Sequence, residues 1–169
     1  MESLIHKASN GRISDMTFVV TTESADRVGD IVMLDGFSTK DFENNPVALV
    51  SHDRSQMPVG IWKNFRRVGD ALLADLVLAA KGTSRAADLA RGLIEQGILR
   101  AVSVGFRALE STPIKPTGMR FTKSELMEIS LVSVPMNPRA VLVAKSLEMT
   151  PEEMKEFFID PSVEESREV

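Results

Sequence analysis

The stretch Phe121 to Val134, FTKSELMEISLVSV, decides how this chain is read. From Leu126 onward single polar residues, Glu128, Ser130 and Ser133, interrupt an apolar run that carries no helical spacing. Such a run is a long strand. Pro135, Asn137 and Pro138 stop it, because proline cannot donate to a strand ladder. Working outward, Leu99 to Leu109 has the same texture, and Ser111 to Gly118, with two prolines, is a loop. Ala140 to Ala144 offers a last short strand. Upstream of Leu99 lies the one clear helix of the body. Thr83-Ser84 supplies an N-cap, Ala86, Ala87, Leu89, Ala90, Leu93 and Ile94 recur at helical spacing, and Gly97 is a natural stop. Further upstream the strand signals return. Ser14 to Asp30 opens on a β-branched run, Ile31 to Leu34 is a second apolar run, and Ser38 or Thr39 is placed to cap a helical turn that Pro46 ends. Val47 to Ser51, Val59 to Phe65 and Leu72 to Ala79 read as strands, with a hairpin turn at Val68-Gly69-Asp70. Many short strands around one central helix predict a β-rich α+β domain, barrel-like rather than doubly wound.

The ends differ from this body. Residues 1–13 are polar and expected to form a loose N-terminal segment, 14–145 form the domain, and 146–169 form an acidic C-terminal tail. In that tail Thr150-Pro151-Glu152-Glu153 is a strong helix start, and Met154, Phe157 and Phe158 follow on one side. The tail is expected to dock on the body, on a second copy or on a partner.

Composition removes several classes of function. The chain has 169 residues, 43% hydrophobic and 26% charged, which suits one core without metals or disulfides. Cysteine is absent, so a disulfide scaffold, a cysteine nucleophile and Cys-based zinc sites are excluded. With only His6 and His52, no multi-histidine metal site is expected, and neither metal nor cofactor is called for. A net charge of −4 and 5% aromatics provide neither the general pull nor the stacking surface for nucleic acid. No apolar stretch is long enough to span a bilayer, so a soluble cytoplasmic protein without a membrane partner is the expectation.

Three places can carry chemistry. In Asn45-Pro46-Val47-Ala48-Leu49-Val50-Ser51-His52-Asp53, a histidine follows an apolar strand, held by it yet free to face a groove; an imidazole is the usual general base near neutral pH. In Arg100-Ala101-Val102-Ser103-Val104-Gly105-Phe106, alternation puts Val102, Val104 and Phe106 on one face and Ala101, Ser103 and Gly105 on the other. Ser103 is thus a hydroxyl flanked by the smallest side chains, a surface cleared for a nucleophile that must admit a carbonyl; close packing of another element would give the same bareness. In the third, Glu128 interrupts an apolar strand, and unbroken alternation places it with Leu126, Ser130, Val132 and Val134. A carboxylate there needs a partner, either His52 or an arginine, and Glu125 is its rival. Gly-x-Ser-x-Gly is absent, since position 101 is alanine, so the α/β-hydrolase elbow and a general esterase are disfavoured.

The pieces NPVALVSHD, GILRAVSVGF and ELMEISLVSVPMNPRA, in that order and spacing, resemble the tailed-phage prohead (capsid maturation) serine proteases, distant relatives of the herpesvirus assemblin proteases. The resemblance covers roughly 14–145. It implies a β-barrel flanked by helices, herpesvirus-protease-like. It implies a serine endopeptidase acting inside the prohead, assembled in the bacterial cytoplasm. The expected substrates are scaffold protein, or a scaffold-like extension of the major capsid protein, and often the protease itself. Homo-oligomerisation is compatible with it. Carried over, the nucleophile is Ser103, the base His52 and the third member Glu128, where the herpesvirus relatives use a second histidine. Met136 departs from the alanine common before Asn-Pro. An inactive, protease-like assembly or scaffolding factor is the competing expectation. Oxyanion donors are sought near 83–85 and 100–101.

Overall fold

A computed structural model describes residues 16–143. Eight strands form one sheet with the path β1-β6-β5-β4-β8-β2, and β3 and β7 also pair with β8. The strands are β1 (Thr17–Thr22), β2 (Ile31–Val32), β3 (Phe37–Ser38), β4 (Val47–Val50), β5 (Gly60–Val68), β6 (Ala71–Leu78), β7 (Ala101–Pro113) and β8 (Met119–Val132). Helix α1 (Arg85–Glu95) connects β6 to β7. The sheet curls until β1 and β7 approach each other, and residues 140–143 fill the seam between them. Val102 N–H donates to the Ala140 carbonyl at 3.0 Å, and Val19 N–H to that of Val141 at 3.0 Å. Instead of forming a strand of its own, this segment closes a nearly complete barrel through isolated bridges to Phe18 and Ala101. The β-rich expectation holds.

The core lies inside the curl. Trp62 and Phe18 are fully buried and meet edge to face at 5.5 Å, a favourable quadrupole geometry. The Trp62 indole N–H reaches the Ile129 carbonyl at 3.3 Å, so the buried polar atom is not orphaned. Helix α1 starts where Ser84 Oγ accepts the Ala87 N–H at 3.3 Å, and it lays Ala87, Ala90 and Ile94 on the core. These residues recur at three- and four-residue steps, one helical face.

Two local expectations are corrected. Neither Ser38 nor Thr39 caps the turn before Pro46: Ser38 lies in β3, and the turn Phe42–Asn44 has no side-chain cap. The Thr39 hydroxyl instead donates to the Glu43 carboxylate. More consequentially, alternation along β8 is broken. Gly105 stands opposite Glu128 and Phe106 opposite Leu126, leaving Met127 as an extra, half-exposed residue. Such a bulge shifts the pleat by one. Leu126 therefore joins Ile129 and Leu131 in the core, and Glu128 does not share its face. The expectations for residues 1–13 and for the tail from 146 lie outside the described residues.

Candidate active site

Strand β8 is the spine of the site. On one side β4 runs parallel to it, with Leu49 opposite Ser130. On the other side β7 runs antiparallel, with Ser103 opposite Ser130 and Gly105 opposite Glu128. Paired residues project to the same face. Ser103, Gly105, Glu128 and Ser130 therefore share one face, while Val102, Ile129 and Leu131 fill the core behind it.

His52 reaches this face by an unusual turn. Ser51 and His52, at φ 53° and 58°, are both left-handed, a region that costs a non-glycine residue on the order of 1 kcal/mol or more. Asp53 N–H closes the turn on the Val50 carbonyl at 3.0 Å, and Ser51 N–H bonds the Leu131 carbonyl at 2.9 Å. The consequence is that His52 Nδ1 meets Glu128 Oε1. The Glu128 side chain is 6% exposed and that of His52 43%. The acid is thus sequestered, while the imidazole is half-exposed with Nδ1 committed to it. Next to it, the exposed Asp53 carboxyl is held below the usual carboxylate range by the Ser55 hydroxyl and amide. Asp53 is a loop cap, not a rival orienting acid.

The rival Glu125 is engaged elsewhere, paired with Arg107 at 2.5 Å near the surface. The bareness of the β7 face also acquires a cause. A Cβ on Gly105 would lie 2.8 Å from Glu128 Cγ and 2.9 Å from its Oε1, so glycine there makes room for the carboxylate. Ser103 is 7% exposed. It is also one of the residues lining a cleft with Val20, Thr22, Val104, Phe106 and Asn137. Among the described residues Ser103 makes no hydrogen bond to His52; the two are related through β8. Of the two partners open to Glu128, His52 rather than an arginine is in contact with it. Ser130, which sequence reasoning left unassigned, joins the pair: its Oγ bonds both Glu128 Oε2 and the His52 amide. The Glu-x-Ser spacing was the available signal, since it places both side chains on one strand face.

The segment after β8 is structural. Asn137 Nδ2 bonds Thr22 Oγ1 at 2.9 Å, and Arg139 pairs with Asp70 at 2.7 Å. Met136 is half-exposed, which explains why a larger side chain is accommodated there. Of the amides sought as oxyanion donors, Thr83 N–H is engaged, donating to the Ala80 carbonyl at 3.0 Å.

No solved structure matches the chain. Over 135 residues it is 31% identical to the prohead protease of Escherichia phage T5, covering 75% of this chain and 60% of that relative. The chain thus spans about 60% of the length of the curated relative it matches. The family model described as caudovirus prohead serine protease matches residues 6–155. With that match across most of its length, the chain belongs to the caudovirus prohead serine protease family.

Proposed function

We propose that this chain is a serine endopeptidase of capsid maturation in which Ser103 is the nucleophile, His52 the general base and Glu128 the orienting acid. One observation carries the reading: a buried carboxylate holds Nδ1 of an exposed imidazole, on the face that Ser103 shares across β8. In this tautomer Nδ1 donates to Glu128 and Nε2 carries the lone pair. Nε2 takes the Ser103 proton as Oγ attacks the scissile carbonyl carbon. The imidazolium, stabilised by Glu128, returns that proton to the leaving amine as the peptide C–N bond breaks. Water then repeats the sequence on the acyl-enzyme and frees Ser103. Glu128 stays ionised throughout, and backbone N–H groups must stabilise the oxyanion.

The substrates in this reading are capsid scaffold protein or a scaffold-like extension of the major capsid protein, cleaved inside the prohead, together with the protease itself. Co-expression with the capsid and scaffold proteins, with and without Ser103→Ala, tests it by mass spectrometry of the fragments. Cleavage should vanish in the variant, with a rate loss on the order of 10⁴–10⁶. Processing at the native rate would remove Ser103 from the mechanism. Assembly that proceeds unprocessed with the native chain would favour the inactive scaffolding factor.

A further inference from the structure

Ser130 is fully buried. Its Oγ donates to Glu128 Oε2 at 2.8 Å and accepts the main-chain N–H of His52 at 3.1 Å. A serine hydroxyl has one proton to give and lone pairs to receive, and both capacities are spent on the two residues that form the acid–base pair. The backbone of Ser130 is also level with Leu49 of β4 and with Ser103 of β7.

The left-handed turn at Ser51-His52 is held by three bonds. Two of them, Ser51 N–H to Leu131 and Asp53 N–H to Val50, join backbone to backbone and would survive any side chain at 130. The third needs a hydroxyl. Glu128 is held similarly, Oε1 by His52 and Oε2 by Ser130. Terminal carboxylate torsions are broad, so one bond alone leaves the group free to rotate. Burial by itself does not dictate this arrangement. Ser124, on the same strand and equally buried, has an Oγ without a hydrogen-bond partner among the described residues.

We propose that Ser130 is a positioning residue, whose hydroxyl fixes the His52 main chain and the Glu128 carboxylate relative to each other so that the imidazole is presented toward Ser103. The assignment rests on the protease reading above. It is tested on the full chain with Ser130→Ala, Ser130→Thr and Ser130→Cys, the last keeping the side-chain volume while weakening the donor.

Two readouts are needed. The first is the far-downfield proton NMR resonance of a carboxylate-bound imidazole Nδ1–H, assigned to His52 by its absence in His52→Ala. The second is the saturating rate at which a fluorophosphonate probe labels Ser103. Folded Ser130→Ala should lose or broaden the resonance and label about 10- to 100-fold more slowly, as loss of a hydrogen bond to a charged group implies. Half-saturation by the probe should stay within about twofold, because the hydroxyl does not contact it. Ser130→Thr should restore both readouts, and Ser130→Cys should fall between; the cysteine variant carries the test if the alanine variant does not fold. Native labelling in a folded alanine or cysteine variant overturns the proposal, as does slow labelling with the resonance intact. Labelling that persists in Ser103→Ala would instead sink the triad reading, and the resonance, which needs no nucleophile, separates the two failures.

Discussion

Replacing Gly105 with alanine adds a single methyl group at the most crowded point of the site. The new Cβ would stand 2.8 Å from Glu128 Cγ, 2.9 Å from Oε1 and 3.3 Å from Cδ, where ordinary contact begins near 3.4 Å. The neighbour must therefore give by about half an ångström or more. An exposed glutamate would swing aside at small cost. Glu128 is 5% exposed, and its two oxygens are tied to His52 and Ser130. The displaced atom, Oε1, is the one that holds the imidazole. Disturbing the orienting acid of a Ser-His-acid triad costs up to about 10⁴ in rate, so a loss of about 10²–10⁴ is expected, or about 3–5 kcal/mol of barrier. The folding cost should be about 1–3 kcal/mol, as for one extra buried methyl. Fluorophosphonate labelling of Ser103 reads the first quantity and urea unfolding the second. The decisive comparison is a double-mutant cycle. If Gly105→Ala acts through the carboxylate, adding it to Glu128→Ala should change labelling by no more than about twofold. Full additivity, or a folded Gly105→Ala that labels at the native rate, would refute the reasoning.

The other expectations are more direct. His52→Ala should abolish labelling and cleavage, because no base then takes the Ser103 proton; activity in that variant would count against His52. Glu128→Gln should slow cleavage by about 10²–10⁴, while Glu125→Gln, which loses only a near-surface pair with Arg107, should be nearly normal; exchanged behaviour would reverse the assignment. Trp62→Ala should cost about 3–5 kcal/mol of stability, since the ring is fully buried against Phe18, and a denaturation midpoint near the native one would contradict the core described. A chain ending at Lys145 should keep its melting temperature and labelling rate, because Val143 already completes the seam by donating to the Thr17 carbonyl at 2.8 Å. Unfolding of that truncation would move the domain boundary beyond 145.

The parts of this site that could be read from sequence are those governed by strand alternation and by the cost of burying a charge. Glu128 in an apolar run demanded a partner, and one of its two candidate partners, His52, is what the fold supplies. The facing of Ser103 away from Val102 followed from a period of two. The failures occur where that period breaks. Met127 bulges out of β8, moving Leu126 to the core, and no glycine or proline within β8 announces it. The turn at Ser51-His52 adopts left-handed geometry without the glycine or asparagine that usually marks it. Local propensity opposes that conformation, so contacts distant in sequence help to impose it. Those contacts are the Leu131 carbonyl, the Ser130 hydroxyl and the Glu128 carboxylate, all from a strand more than seventy residues downstream. Backbone strain of this kind concentrates at sites where geometry is held for a task. The same three contacts fix where the imidazole points, so the feature least legible in the sequence is the one on which the proposed chemistry most depends.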